Sequence, residues 1–378
     1  MARRIAILTQ PLGLNYGGVL QAYALAKRVS DRGFDVSVDL HRERYNRLTT
    51  LPKIIKHHLL KSKHPSEYSD TWSHIPTQLE FFKKQSCNID IFISKHMRAI
   101  ELFDRRGRMR DEFDGYIVGS DQVWRPRYSD NIYNYFLKQV RSESQKKIAY
   151  AASFGIDSDS EFTPKQRREC SKLLKRFNAV SLREHSACNI AKRLFSIDAE
   201  RVADPVLLLD RSDYEALCSN NLHDQRHLLC YLLDPTDNKK TLCGELSGEL
   251  SLRIEPYYQG RQYPHRRISE AKIPSVEEWL AAIRDSDFIV TDSYHGTLMA
   301  IIFAKNFITI SNKDRGATRF ESILGDLSLM DRLIDSSEMS NREKVDQIIS
   351  KKIDFIAVKK RLDALRKFSE AFLDAALE

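Results

Sequence analysis

The segment from Ser286 to Ile310 limits the fold of this chain more than any other, because it reads as strand, polar turn, helix and strand. The apolar run 287–291 suits a buried parallel strand, and the run 298–303 suits a helix that covers it. In an open α/β sheet, ligands bind beyond the carboxyl ends of the strands. His295 falls in the polar turn and is therefore predicted to lie at a ligand-binding edge. The alternative is a histidine satisfied by local hydrogen bonds beside a helix cap.

The same alternation of strands and helices runs through most of the 378 residues, which exceed one comfortable hydrophobic core. A βαβ unit with a right-handed crossover opens the chain, and further strand patterns follow between residues 116 and 310. We predict an N-terminal Rossmann-like domain over 1–205 and a C-terminal Rossmann-like domain over 206–340. A helix over 341–378 could pack back on the first domain.

Residues 42–110 differ from this pattern, because they read as a basic, His-rich helical insertion in the first domain. Three histidines, His57, His58 and His64, have no acidic or cysteine partners at ligand spacing, which favours a solvated basic face over a metal site. Isoleucine and leucine side chains alternate with lysines over 53–61. This face could lie against an anionic membrane.

Charge and cysteine usage narrow the class of protein. The formal net charge of +8 indicates affinity for anions, and no nucleic-acid-binding motif accompanies it. Six cysteines without any CxxC spacing predict free thiols rather than a zinc site or a disulfide framework. No secretion signal and no apolar run of membrane-spanning length is present, so we expect a cytoplasmic protein.

Small or polar residues follow several predicted strands, at the edge where a parallel sheet binds ligands. They are Asn15, Gly17 and Gly18 before the first helix, Ser120 and Asp121 after 116–118, Arg183 after 179–182, Asp292 and Ser293 after 287–291, and Arg315 and Arg319 after 307–310. The glycine pair permits close approach of a ligand to a helix N-terminus, with a mere tight turn as the alternative. For Arg183, an ion pair with Glu184 or another acidic neighbour is the alternative.

Five motifs resemble those of the polysaccharide pyruvyl transferase family: NYGG with Gln21 and Ala22, VGSDQVW, SLRE, ADPVLLL and TDSYHGTLMAIIF. They stand in the family's order over most of the chain. The resemblance implies two Rossmann-like domains in a GT-B-like arrangement, a cleft between them, and transfer of pyruvate from phosphoenolpyruvate to a sugar as a ketal. It implies no metal or other cofactor. It also implies that Arg183 and His295 carry donor binding and catalysis.

One position departs from the family pattern. Several relatives read Arg-x-His at the second-domain turn, whereas Ser293 occupies the arginine position two residues before His295. We expect Arg315 or Arg319 to supply the missing cation.

The chemistry agrees with the residue types. A donor with a carboxylate and a phosphate calls for guanidinium groups and helix N-termini, which Arg183, Arg315, Arg319 and the glycine turn could supply. The reaction also needs a group that gives and takes protons near neutrality, and His295 is the candidate. Either Asp121 or Asp292 could orient it or act as base towards the sugar hydroxyl.

The leading hypothesis is a pyruvyl transferase acting on a lipid-linked or free glycan of a bacterial cell envelope. Such an enzyme would work in the cytoplasm or at the inner face of the cell membrane. One alternative is a GT-B glycosyltransferase that uses a nucleotide sugar, for which Asp39 is the one candidate ribose partner in the first βαβ unit. The other is a non-catalytic member that binds an anionic glycan. Fold alone does not separate them, because function resides in the site.

Overall fold

The computed structural model describes residues 2–13, 15–40, 75–104, 107–129, 131–158, 160–219, 226–258, 274–311 and 316–378. Of these, 75–85 and 257–258 are described by their backbone alone. The predicted membrane-facing segment 53–61, the three histidines His57, His58 and His64, and the predicted anion ligand Arg315 lie outside the described residues. Within the described residues, no helix has the length and hydropathy that crossing a membrane requires.

The first half of the chain forms a seven-stranded parallel sheet in the order β3-β2-β1-β4-β5-β6-β7. Its strands are β1 Arg4–Leu8, β2 Asp35–Asp39, β3 Ala99–Ile100, β4 Gly115–Val118, β5 Lys146–Ala152, β6 Ala179–Leu182 and β7 Glu200–Arg201. Its helices are α1 Tyr16–Ser30, α2 Ile75–His96, α3 Pro164–Leu174 and α4 His185–Phe195. The strands β1, β2, β4 and β5 are buried at nearly every position, as expected when helices cover both faces of a parallel sheet. The edge strands β3 and β7 are partly exposed.

The second half forms a five-stranded parallel sheet in the order β12-β11-β10-β8-β9. Its strands are β8 His227–Leu232, β9 Arg253–Tyr258, β10 Phe288–Thr291, β11 Asn306–Ile310 and β12 Leu333–Ile334. Its helices are α5 Arg211–Glu215, α6 Asp237–Leu250, α7 Val276–Asp285, α8 Tyr294–Ile302 and α9 Thr318–Asp326. The predicted α/β class with two Rossmann-like, GT-B-like halves is confirmed.

Two helices follow the second sheet, α10 Arg342–Ser350 and α11 Phe355–Leu377. The second of them returns to the first sheet, where Glu370 forms ion pairs with Arg28 of α1 and with Arg32 in the turn after it. On the same helix, the Arg366 guanidinium donates to the carbonyl of Leu207 at 2.8 Å. Helix α11 therefore supports the segment that connects the two sheets.

The two halves share one hydrophobic core at the place where their carboxyl edges face each other. Tyr16, in the first turn of α1, stacks on Trp279 of α7 with ring centroids 5.4 Å apart. Both rings are buried. This packing joins α1 of the first half to α7 of the second half.

Candidate functional site

The polar ends of both sheets meet at His295 and Asp204. Asp204 follows β7 of the first sheet, and its Oδ2 lies 3.5 Å from Nε2 of His295, which belongs to the first turn of α8. Both side chains are buried. The helix begins at Tyr294, four residues before the predicted apolar helical run, so His295 lies inside the helix N-terminus rather than in the loop before it.

Asp204 is fixed by further contacts with the first half of the chain. Its Oδ2 accepts a hydrogen bond from Arg183 Nη1 at 2.8 Å, and its Oδ1 accepts from the backbone N–H of Val206 at 3.1 Å. The second bond caps the 3-10 turn Pro205–Leu208. Although burial opposes ionisation, the charges of His295 and Arg183 outweigh it and hold the Asp204 pKa well below its usual range. An ionised carboxylate therefore lies against the imidazole.

Arg183 extends from the end of β6 into a group of three carboxylates. Besides Asp204, its guanidinium lies 3.4 Å from Asp121 and 3.7 Å from Glu184. It also lies 4.8 Å from the ring centre of Tyr294. The ion-pair interpretation of Arg183 thus describes this conformation, in which its charge is balanced by protein carboxylates.

Glu184 differs from the other two carboxylates because burial controls its ionisation. Burial raises its pKa, and the Arg183 charge together with the hydrogen bond from Ser153 only partly offsets this. Ser153 Oγ donates to Glu184 Oε1 at 2.6 Å, while Oε2 has no hydrogen-bond partner. This carboxyl therefore favours the neutral form more than an exposed glutamate does.

A second guanidinium, that of Arg319, approaches the same ring from α9 of the second half. It lies 5.3 Å from the centre of Tyr294, so both guanidinium groups lie within cation–π distance of one tyrosine ring. The Arg319 Nε donates to the carbonyl of Gly316 at 3.5 Å, which is a weak contact. Burial and then the neighbouring Arg183 charge lower the pKa of Arg319. A bound anion would relieve the repulsion between these two cations.

Gly17 lets helix α1 touch His295. A Cβ atom on Gly17 would lie 2.2 Å from the imidazole Cγ and Nδ1, whereas one on Gly18 would make ordinary contact with Asn15 at 3.5 Å. Asn15 caps α1, its Oδ1 accepting from the Gly17 N–H at 3.0 Å. The sequence predicted that a ligand could approach the backbone closely at the glycine pair. In this conformation His295 occupies that position at Gly17.

Ser120 belongs to a buried network that holds the strand ends of the first sheet. Its N–H donates to Gln21 Oε1 at 2.9 Å, and its hydroxyl donates to the carbonyl of Ala151 at 2.8 Å. The Gln21 amide in turn donates to Thr9 Oγ1 at 2.7 Å. The network fixes the loop that presents Asp121 to Arg183.

The two predicted residues before His295 serve the second sheet. Ser293 caps α8, since its Oγ accepts from the Gly296 N–H at 3.2 Å. Asp292 accepts from Lys239 Nζ at 2.6 Å and from the backbone N–H of Leu233 at 2.6 Å. Because Asp292 is committed to these donors, and Asp121 to Arg183, the structure gives the place beside the imidazole to Asp204 instead.

Sequence reasoning did not single out Asp204 or Tyr294 as site residues. Asp204 stands in the ADPVLLL motif, which carries part of the family resemblance but no predicted site role. The sequence did hold one signal, because Asp204 starts a fully apolar run and is therefore expected to be buried. A buried charge requires a partner, so this carboxylate could have been predicted to pair with a cation. Among the described residues, no His, Cys, Asp or Glu side chains form a group that could hold a metal ion.

The family comparison covers most of the chain. Residues 15–314 match the family model described as polysaccharide pyruvyl transferase. The matched range includes Asp121, Arg183, Glu184, Asp204, Tyr294 and His295 and ends before Arg319. No curated protein matches the chain.

Solved structures show a likeness of fold. UDP-N-acetylglucosamine 2-epimerase from Rickettsia bellii has 11% identity and a TM-score of 0.50, and the match covers 99% of this chain and 97% of that one. UDP-GlcNAc 2-epimerase from Methanocaldococcus jannaschii has 12% identity and a TM-score of 0.48, with 96% and 99% covered. The spinosyn forosaminyltransferase SpnP has 10% identity and a TM-score of 0.41, with 98% and 95% covered.

Proposed function

The chain belongs to the polysaccharide pyruvyl transferase family, and on that premise we propose that it moves pyruvate from phosphoenolpyruvate to a glycan sugar as a ketal. The observation that carries the proposal is the buried cluster between the two sheets. Two guanidinium groups and one histidine–carboxylate pair lie together there, around the ring of Tyr294. A small donor with a carboxylate and a phosphate needs this combination of cations and a proton-transfer group.

The reaction balances with two sugar hydroxyls and no other reactant. A proton adds to the methylene carbon of phosphoenolpyruvate, which becomes a methyl group, and one sugar oxygen bonds to the adjacent carbon. The bond from that carbon to the phosphate oxygen breaks, and the second sugar oxygen replaces it. Of the two hydroxyl protons, one is accounted for by the new methyl group and the other by the released phosphate.

His295 is proposed as the group that delivers the proton to the methylene carbon or to the departing phosphate. The ionised Asp204, 3.5 Å away, holds the ring in place and stabilises positive charge on it during transfer. The N-terminus of α8 also favours the developing negative charge of the phosphate.

Arg319 is proposed to bind the anionic donor where relatives have the arginine that Ser293 replaces. It is buried, and it contacts the ring next to His295. Arg183 would bind the donor by exchanging one of its three carboxylate partners for the substrate's carboxylate. A forked guanidinium can make that exchange with two parallel hydrogen bonds.

The acceptor is proposed to be a sugar of a bacterial cell-envelope glycan, free or lipid-linked, and the reaction is proposed to occur in the cytoplasm. Guanidinium groups neutralise the donor in this scheme, so no divalent metal is required. Turnover should therefore survive treatment with excess EDTA and desalting. Loss of activity that Mg²⁺ restores would reject this part of the proposal.

The function is tested by phosphate release from phosphoenolpyruvate over a panel of mono- and oligosaccharides, together with calorimetric titration of the donor. His295→Gln and Asp204→Asn should each lower turnover by about 100-fold or more, the usual size of acid–base contributions. Asp292→Asn is the matched control, because Asp292 is an equally buried carboxylate that pairs with Lys239. It should lower the melting temperature with a smaller effect on turnover.

Two results would contradict the proposal. One is near-normal turnover in either His295→Gln or Asp204→Asn. The other is saturable binding of UDP-N-acetylglucosamine with no response to phosphoenolpyruvate, which would favour a glycosyltransferase. Binding of a glycan without turnover of any donor would favour the non-catalytic alternative.

A further inference from the structure

The outer face of helix α11 carries apolar side chains that the fold leaves in water. Ile356 is 87% exposed and Phe368 is 49% exposed. At about 100° per residue, these two positions lie within about 120° of each other on the helix surface and about 18 Å apart along it. The opposite face, with Val358, Leu362 and Leu373, is buried against the protein.

A third exposed apolar side chain lies near the start of this helix. Met330 is 45% exposed, and the next residue, Asp331, pairs with Lys351 at 2.7 Å, four residues before α11 begins. Only five large apolar side chains among the described residues are this exposed, and three of them belong to this region. Scattered exposed residues need no explanation, but a group of them indicates an interaction surface.

Cations surround these apolar side chains. Lys352, Lys360, Arg361 and Lys367 are exposed, and none of them has an ion-pair partner among the described residues. The acidic residues of the same helix are occupied, since Asp363 pairs with Lys359 and Arg366, and Asp374 pairs with Arg32. The outer face therefore has a net positive charge.

We propose that this face, defined by Met330, Ile356, Lys360, Lys367 and Phe368, is a docking surface for an anionic lipid membrane. Charge complementarity selects an anionic partner, and the exposed apolar side chains select one with an apolar interior. A membrane interface offers both, because apolar side chains enter the headgroup boundary while lysines remain at the lipid phosphates. An acidic glycan or a polyanion would leave Ile356 and Phe368 in water. The surface is separate from the histidine site, so the inference does not depend on the proposed reaction.

The test is cosedimentation of the full chain with large vesicles of pure phosphatidylcholine or with about 30% phosphatidylglycerol. The protein should bind the anionic vesicles only, and binding should weaken as salt is raised. Lys360→Gln/Lys367→Gln should weaken binding by about tenfold or more, because each lysine near an anionic surface contributes measurably. Ile356→Ser/Phe368→Ser should weaken it comparably through lost apolar contact.

Matched controls remove the same groups elsewhere. Lys165→Gln/Lys175→Gln removes two exposed lysines at α3, and Ile91→Ser removes an isoleucine that is 57% exposed on α2. Both controls should bind the anionic vesicles as the unmodified chain does. The proposal is overturned if the chain binds both vesicle types equally or neither, or if the controls lose binding as much as the α11 variants.

A fluorescence measurement checks that the apolar side chains enter the lipid. Phe368→Trp places an indole on the outer face of α11, and its emission should shift to shorter wavelength on addition of anionic vesicles. The unmodified chain serves as the baseline; its Trp124 and Trp279 are buried, and its third tryptophan, Trp72, lies outside the described residues. Binding without any shift would mean that charge alone holds the protein and would overturn the proposed insertion.

Discussion

Glu184 and Asp204 flank the same guanidinium, yet their carboxyl pKa values move in opposite directions. Burial prevails at Glu184 and raises its pKa, whereas at Asp204 burial is outweighed by His295 and Arg183. A carboxyl with a raised folded-state pKa contributes most stability below its unfolded pKa of about 4.3, and loses that contribution as pH rises through the folded value. The contribution of Asp204 behaves inversely: it is full above about pH 4 and is lost in stronger acid.

Glu184→Gln is therefore expected to become more stabilising as pH rises. The amide oxygen can still accept from Ser153, while the cost of a buried charge is removed. Thermal melting of the variant and the unmodified chain, begun at about pH 3.5 and carried towards neutrality, should show a gap in melting temperature that widens as pH rises above the unfolded pKa of about 4.3. Glu143→Gln, at an exposed position, is the control. A gap that stays constant with pH would refute the assignment.

A single methyl group should distinguish the two glycines of α1. Gly17→Ala would bring a Cβ within 2.2 Å of the His295 ring, while the Cβ of Gly18→Ala meets Asn15 at an ordinary 3.5 Å. Alanine stabilises a helix by up to about 1 kcal/mol over glycine, so Gly18→Ala should be neutral or stabilising. Gly17→Ala should lower phosphate release by about tenfold or more, since a displaced catalytic group is costly. Equal activity in both variants would show that α1 does not pack on His295 in the working enzyme.

At the scale of elements, helix α11 holds the turn that presents Asp204. Ser369 Oγ accepts from the N–H of Ala203 at 2.9 Å, and Arg366 donates to the carbonyls of Leu207 and Leu209 at 2.8 and 3.0 Å. These bonds bracket Asp204 on both sides along the chain. A helix that touches no proposed ligand thus fixes the position of a proposed catalytic partner.

Ser369→Ala leaves the buried Ala203 N–H without an acceptor, at a cost of about 1–3 kcal/mol. We expect a lower melting temperature and a lower kcat at nearly unchanged donor KM, because Asp204 shifts relative to His295 while the arginines remain. Ser350→Ala on α10 is the control, since that hydroxyl is exposed and bonds only locally. A loss of stability with an unchanged kcat would limit Ser369 to a structural role.

Local patterns predicted most elements, because apolar spacing and turn residues depend on neighbours in the chain. The strand 179–182 has the bounds that the sequence indicated, and the strands predicted at 116–118 and 307–310 each begin one residue earlier. That the polar strand ends bind a ligand stays a prediction. The contact between Asp204 and His295 was not predicted, since it joins residues of two sheets. No local pattern specifies how two sheets approach each other.

At the scale of the whole molecule, the candidate site exists only when the two halves meet. Asp121, Arg183 and Asp204 come from the first sheet, and Tyr294, His295 and Arg319 come from the second. In this closed arrangement each of the six is at most 7% exposed. Because a donor cannot reach side chains that are this buried, turnover is expected to require the halves to separate and close again.

A disulfide across the interface tests this expectation. Ser186 of α4 and Thr318 of α9 have hydroxyl oxygens 3.2 Å apart, which suits the Ser186→Cys/Thr318→Cys pair. The oxidised variant should lose about tenfold or more of its phosphate release and regain it on reduction. Each single cysteine variant is the control. Full activity in the cross-linked state would mean that the donor enters without separation of the halves.

The return of α11 to the first sheet has a consequence for biosynthesis. Domains generally fold as they leave the ribosome, beginning with the N-terminal one. Here the first sheet carries Asp204, but the helix that braces Asp204 is translated only after the entire second sheet. A nascent chain that has completed its first sheet therefore still lacks a firmly held carboxylate, and the proposed chemistry is withheld until synthesis has passed both halves.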